Sequence, residues 1–228
     1  MMRTIRLLAA GTALAGALLT SACVSGPAPK NYANFRSENP RSVLVVPALN
    51  ATVNVDAADY FVSTISMPIA ERGYYVFPAY MVKRLLDDEG LSDAGLVHQA
   101  DASRFAPLFG CDSVMFVEIK RWESQYIVIS TSTNVEFEYT LKSCRTGETL
   151  WSDTQALSYS PQRSNSGNPL ADLIAQAIVS ALEKAKPNYI PLTKQANFTA
   201  THTIGQGLPA GPYLPGQFGQ DQSQFPIQ

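Results

Sequence analysis

The chain has 228 residues, of which 46% are hydrophobic and 16% charged, and 17 Lys and Arg against 19 Asp and Glu give a net charge of −2. Because no basic surplus is available to neutralise phosphates, we expect no nucleic-acid partner. With 10% aromatic residues the chain is too apolar to be wholly disordered, and three cysteines are too few for a disulfide-held miniature fold.

The first 22 residues are typical of a lipoprotein signal peptide. Arg3 and Arg6 form a short positive start, and an uncharged run rich in Leu and Ala follows over 7–19. A membrane-spanning helix needs about 20 apolar residues, so this run is too short to be one. Small residues then precede Cys23, as in a bacterial lipobox, although Thr20 stands where Leu is usual.

We therefore predict that Cys23 is acylated and becomes the mature N-terminus, because two or more fatty chains anchor a protein stably. Val24 stands where inner-membrane lipoproteins usually carry Asp. This favours the bacterial outer membrane, with the domain facing the periplasm. The alternative is an ordinary secretory signal cut near Ala22, which would leave Cys23 incidental.

Two segments flank the predicted domain over 41–186. Residues 23–40 are predicted to be the lipidated cysteine and a flexible, proline-containing spacer. Residues 187–228 contain 6 Pro, 5 Gly and 7 Gln, with only Lys194 and Asp221 charged. Such a segment buries too little apolar surface to offset its ordering entropy, so a disordered tail is predicted.

Strand and helix patterns alternate through the first half of the domain. A continuous apolar run opens it, as in a strand buried on both faces, and Pro68 should kink or end the first helix. In chain order the predicted elements are a strand over 42–47, a helix over 56–72, a short strand over 74–77, and helices over 78–89 and 102–109.

The second half is predicted to consist of strands and one closing helix. Apolar and polar residues alternate over 127–141, which indicates an antiparallel strand with its even-numbered face in water. The other predicted elements are strands over 113–122 and 150–159 and a helix over 170–182. The order predicts an α/β (α+β) fold: a single three-layer-like domain whose mixed sheet of about five strands ends in an antiparallel meander.

Residues that could carry catalysis or bind metal are sparse. His98 is predicted in a solvated loop and His202 in the tail, and metal-binding spacings are missing from the sequence, so we expect no metal, no cofactor and no catalytic residue. Glu136 and Glu138 would lie about 7 Å apart on one strand face, a separation found in inverting glycosidases. They support a hydrolase only as the least favoured alternative.

Cys111 and Cys144 could pair, because the bacterial envelope permits disulfides. A hairpin turning near Ser124 would however separate them by on the order of 25 Å along straight strands. A disulfide requires Cα atoms within about 7 Å. Two separate thiols are therefore favoured, with the disulfide kept as the alternative if the strand bends.

Four aromatic residues around the short strand are candidates for an interaction surface: Tyr74, Tyr75, Phe77 and Tyr80. They could line a groove that binds a small ligand or a glycan. Aromatic side chains that flank a short strand are also frequent in protein cores, so packing is the competing explanation.

Four strings occur in order along the chain: NPRSVLVVP from 39, GYYVFP from 73, FGCD from 109 and RTGETLW from 145. With the lipobox they resemble a family of bacterial lipoproteins that includes a neisserial genome-derived surface antigen. The likeness spans about 39–160 and departs at Cys111 and in the tail. It implies a domain similar to the amino-terminal part of TolB and the periplasmic part of CsgG-type lipoproteins, and it brings no catalytic residue.

We accordingly expect a non-enzymatic accessory or docking subunit of an envelope transport or secretion assembly. Its expected partners are the membrane, through the N-terminal lipid, and envelope transport or secretion proteins, with further copies of the chain as a second option. The alternative is an envelope lipoprotein that binds a small ligand or glycan.

Overall fold

The computed structural model describes residues 27–127, 130–160 and 188–227. The predicted lipidation site Cys23 and the predicted helix over 170–182 lie outside these ranges. Among the helices that are described, none is long and apolar enough to cross a membrane.

The helices and strands follow one another in this order: α1 (Ala33–Glu38), β1 (Ser42–Val45), β2 (Leu49–Asn50), α2 (Ala57–Glu71), β3 (Tyr75–Val76), α3 (Ala79–Asp88), α4 (Ala94–Gln99), a 3-10 turn (Ala102–Arg104), α5 (Phe105–Phe109), β4 (Ser113–Ile127), β5 (Ser130–Ser143), β6 (Thr149–Tyr159) and α6 (Ile190–His202).

One mixed sheet organises these elements. Its strand order is β3-β1-β4-β5-β6, with β2 paired to β4 beyond the end of β1. The first three strands in this order run parallel, and β5 and β6 add to them antiparallel. The predicted mixed fold with an antiparallel meander is therefore confirmed, with a sixth strand contributed by the two-residue β2.

Helices cover both faces of the sheet at β1. Val43 and Val45 of β1 belong to an apolar layer beneath α2 and α6, while Leu44 and Val46 belong to a second layer beneath α3, α4 and α5. All four side chains are buried. A strand covered on both faces must be apolar at every position, which explains the uninterrupted hydrophobic run in the sequence.

A long hairpin of β4 and β5 forms the centre of the sheet. On β5 the odd-numbered side chains from Thr133 to Leu141 are buried and the even-numbered ones between them are at least partly exposed, which confirms the predicted alternation there. The predicted end of the preceding strand at Trp122 is wrong. The strand continues to Ile127, which pairs with Ser130.

This longer hairpin brings the two cysteines together. Because the chain reverses after Ile127, Ser113 pairs with Ser143 at the base of the hairpin. Cys111 and Cys144 then form a disulfide with 6.0 Å between their Cα atoms. The prediction of two separate thiols is wrong because it assumed a turn near Ser124 and hence a different register.

The predicted spacer is partly folded onto the domain. Tyr32 and Phe35, at the start of α1 and within it, are buried among the side chains beneath α2 and α6. The Tyr32 hydroxyl donates a hydrogen bond to the Gly207 carbonyl oxygen at 2.8 Å, and its ring meets Phe225 edge-on at 5.2 Å. The prediction of flexibility is wrong for this part because two aromatic side chains hold it.

The described part of the predicted disordered tail is also folded. α6 buries Ala196 and Ala200, and the segment after it accepts hydrogen bonds from buried or partly buried side chains elsewhere. Tyr74 donates to the Pro209 carbonyl at 2.7 Å, and Trp151 donates to that of Gln206 at 2.7 Å. The prediction of disorder from composition is wrong here because side chains distant in the sequence hold this segment in place.

A buried carboxylate links the two ends of the described chain. Asp221 is 8% exposed, and its side chain accepts hydrogen bonds from Arg36 Nη2 at 2.7 Å and from the Ala210 backbone N–H at 2.6 Å. Arg72 Nη2 lies 3.9 Å from its second oxygen. Since a buried charge requires paired charges and hydrogen bonds, these contacts fix α1, the end of α2 and the C-terminal segment together.

We expect Asp221→Asn to lower the free energy of unfolding by about 2–4 kcal/mol, because two arginines would lose their buried counter-charge. Urea unfolding measures this loss. The matched control is Asp88→Asn, which removes an exposed pair with Arg84 and should change stability by less than about 0.5 kcal/mol. Equal, small losses in both variants would contradict the linking role.

Replacing both Cys111 and Cys144 by Ser should lower the free energy of unfolding by about 3–4 kcal/mol, because the disulfide closes a loop with a sequence separation of 33. Urea unfolding with and without reductant measures the effect. Reductant should destabilise the wild-type chain and leave the double variant unchanged. If the wild-type chain, after being unfolded with reductant, had the same free energy of unfolding with reductant as without it, the disulfide would be contradicted.

Candidate functional site

An apolar groove lies between α3 and α5, at the edge of the sheet formed by β3. It encloses about 300 Å³. Its lining residues are Tyr75, Phe77, Pro78, Met81, Val82, Leu85, Leu108 and Phe109. Apart from the Tyr75 hydroxyl, every side chain in this set is apolar.

The groove arises because α3 has more apolar residues than it can bury. Val82 and Leu86 point into the sheet layer and are almost fully buried. Met81 and Leu85 precede them by one position each, so they form a neighbouring i, i+4 pair on the helix surface. Met81 is 59% exposed and Leu85 is 37% exposed.

Aromatic rings form the side of the groove that faces β3. Phe77 lies edge-on to Tyr75 with ring centres 5.1 Å apart, and it also contacts Phe109 at 6.4 Å. Gly110 follows Phe109 with a φ of +69° and ends α5. This left-handed residue lets the chain leave the helix directly after the groove.

The structure places two of the four predicted aromatic residues in the groove. Tyr75 and Phe77 line it, and Tyr80 lies beside it on α3, exposed to solvent. Tyr74 is instead buried on the other side, in contact with Phe35. Its burial raises the pKa of the Tyr74 hydroxyl well above the usual value, so this residue is structural.

Among the lining residues that sequence reasoning missed are Met81, Leu85, Leu108 and Phe109. The first two could have been found, because an apolar i, i+4 pair beside an already sufficient apolar stripe indicates an exposed patch. The other two depend on the position of α5 relative to α3, which no local pattern encodes.

His98 lies in α4 and not in a loop, so that prediction is wrong. The missed signal was Asp93, whose side chain accepts a hydrogen bond from the Leu96 N–H and caps this six-residue helix. His98 Nε2 is 3.1 Å from the Pro47 carbonyl oxygen, and its ring lies edge-on to Phe116. Burial lowers the pKa of His98.

His202 ends α6 and is therefore part of the folded domain. Its ring stacks on Phe198 with centres 4.1 Å apart, and Nδ1 is 2.8 Å from the Thr201 hydroxyl. Burial, followed by the positive charge of Arg72, lowers the pKa of His202. Within the three described ranges, no group of three or more His, Cys, Asp or Glu side chains could hold a metal ion.

Glu136 and Glu138 lie on the open face of the sheet, each beside a cation. Arg121 Nη2 is 3.5 Å from Glu136, and Lys120 Nζ is 3.3 Å from Glu138. Lys120 also pairs with Glu118 at 2.8 Å. The first two are cross-strand ion pairs, the third lies within β4, and all three are on a wetted surface, which gives the hydrolase alternative no support.

Comparisons with known proteins identify a family and related chains. The family model described as "Putative lipoprotein GNA1162-like" matches residues 30–213. A Neisseria meningitidis serogroup B protein named "Putative lipoprotein NMB1124/NMB1162" is 31% identical over 170 residues, covering 74% of this chain and 78% of that protein. The crystal structure of lipoprotein GNA1162 from N. meningitidis has a TM-score of 0.52 at 29% identity, covering 63% of this chain and 98% of that one.

We expect the free energy of unfolding to fall as pH decreases below about 6.5. Both histidines have folded-state pKa values below the ordinary 6.5, so the unfolded chain binds more protons in this range. The stabilisation by the two uncharged histidines is complete above about pH 6.5, and it is lost as the pH falls towards their lower folded-state pKa values. Urea unfolding at about pH 7.5 and about pH 5 measures the loss.

His98→Gln and His202→Gln should each reduce this pH-dependent loss of stability relative to the wild-type chain. A loss of unchanged size in both variants would show that other groups cause it. The titration of each imidazole, followed by NMR, provides the independent check, since both should titrate below the ordinary value.

Proposed function

Because the chain belongs to the GNA1162-like lipoprotein family, we propose that it docks other proteins of an envelope transport or secretion assembly without catalysing a reaction. In this proposal Cys23 is acylated, the lipid is held in the outer membrane and the domain faces the periplasm. The observation that carries the docking role is the exposed apolar groove between α3 and α5.

The composition of the groove suits a protein partner. Aromatic residues and methionine are enriched at the centres of protein interfaces, where they fill pockets on the partner. Met81 and Tyr75 combine large apolar area with at least half exposure. We therefore propose that apolar side chains of another envelope protein occupy the groove.

The same lining argues against a glycan as the occupant. Sugars are recognised through several fixed polar groups together with apolar contact. Here the Tyr75 hydroxyl is the single polar side-chain group among the lining residues. A site with so few hydrogen-bond partners would leave most sugar hydroxyls unpaired, which costs binding free energy.

We expect the double variant Met81→Ser, Leu85→Ser to recover at least about tenfold less partner than the wild-type chain, because each truncation should cost about 1 kcal/mol or more of binding free energy. The measurement uses the full-length acylated protein with a photo-cross-linker at Tyr80. Captured proteins are identified by mass spectrometry after pull-down from cells.

Met67→Ser is the matched control, since Met67 is 69% exposed but lies on α2, on the opposite face of the sheet. Equal recovery from the double variant and this control would contradict the docking role of the groove. Capture of the chain itself would identify the partner as a second copy, and stabilisation of the protein by muropeptides would favour the glycan alternative.

A further inference from the structure

The chain enters the folded domain at a fixed place beside its own C-terminal segment. Gln206 Nε2 donates a hydrogen bond to the Ala28 carbonyl oxygen at 2.7 Å. The Lys30 N–H donates one to the Gly205 carbonyl oxygen at 2.8 Å. The Tyr32 N–H donates to the Pro226 carbonyl at 3.1 Å. The loop over 203–207 and the segment 224–227 therefore hold the N-terminal segment from Ala28 onwards.

The proposed lipid lies close to this entry point. Ala28 follows Cys23 by five residues (28 − 23), and five fully extended residues span at most roughly 18 Å. Acyl chains on Cys23 would be buried in the bilayer. The part of the domain that binds Ala28 must then stay within about that distance of the lipid headgroups.

Two large apolar side chains project from the segments that bind the entry point. Ile204 is 66% exposed and precedes Gly205, while Ile227 is 67% exposed and follows Pro226. Each is thus next to a carbonyl group that accepts a hydrogen bond from the N-terminal segment. Exposed apolar side chains at this position are suited to burial at the boundary of headgroups and acyl chains.

The charges of the C-terminal segment permit close approach to lipid. Residues 188–227 contain Lys194 and Asp221 as their only Lys, Arg, Asp or Glu. Asp221 is buried and paired with Arg36, so this segment presents no exposed carboxylate. Anionic headgroups would therefore meet no acidic side chain of this segment, and repulsion from it would be small.

We infer that the surface around Ile204 and Ile227 lies against the membrane that holds the anchor, with both side chains in the headgroup region. This inference rests on the proposed acylation of Cys23. It also orients the domain: the segments that carry the two isoleucines adjoin the apolar layer beneath α2 and α6, whereas the groove adjoins the layer on the opposite face of the sheet. The groove would remain free for a partner.

The test measures how deeply single positions lie in the lipid. The full-length acylated chain carries an environment-sensitive fluorophore on a cysteine introduced by Ile204→Cys, Ile227→Cys or, as the control, Met81→Cys. The native Cys111 and Cys144 are paired and do not take the label. Each protein is bound to vesicles of phosphatidylethanolamine and phosphatidylglycerol that contain nitroxide-labelled lipid.

We expect nitroxide lipid to quench the fluorophores at 204 and 227 and to leave the one at 81 unquenched. Near-UV circular dichroism checks that each variant is folded. Quenching at 204 and 227 no stronger than at 81, in a protein that floats with the vesicles, would overturn the inference while leaving the anchor intact.

A second comparison separates this inference from the proposed lipidation. The wild-type chain should float with vesicles on a density gradient, and Cys23→Ser should not. If the wild-type chain remained at the bottom as well, the anchor proposal would fail and the inference with it. If both floated equally, acylation would not be what holds the chain on the vesicles, and stronger quenching at 204 and 227 than at 81 would then show that the isoleucine surface binds lipid by itself.

Discussion

The pairing of Asp221 with Arg36 and Arg72 is the constraint on which the arrangement of both ends of the described chain depends. One carboxylate, excluded from solvent, binds a residue of α1 and a residue at the end of α2. It also accepts the Ala210 N–H, which holds the C-terminal segment in place. These contacts allow the rings of Tyr32 and Phe225 to pack edge-on at the border of the core. The chain therefore enters the domain at a defined position.

The sequence patterns predicted correctly those strands whose structure is determined by residues close together in the chain. The apolar run of β1 and the alternation along β5 follow from burial and pleat, which act over a few residues. The likeness to the lipoprotein family is likewise confirmed, whereas that to TolB and CsgG stays a prediction. The disulfide was missed because one wrongly placed turn shifts the register of every pair beyond it.

The groove between α3 and α5 likewise depends on both local sequence patterns and contacts between residues distant in the sequence. Tyr74 and Tyr75 are adjacent, and side chains of successive strand residues point to opposite sides. Tyr75 consequently reaches the groove while Tyr74 enters the core, a distinction that composition around the strand does not reveal. Similarly, the Pro- and Gln-rich end of the chain is ordered by hydrogen bonds from Tyr74 and Trp151, whose positions are set by the sheet.

The disulfide between Cys111 and Cys144 has a consequence for the integrity of the protein in a compartment that contains proteases. The covalent loop that it closes contains the whole of β4 and the whole of β5. A single cut between these strands would not release a fragment, because the two halves would stay joined by the sulfur bridge and the strand ladder. Damage at that position would therefore leave a nicked molecule whose sheet is still covalently complete at its base.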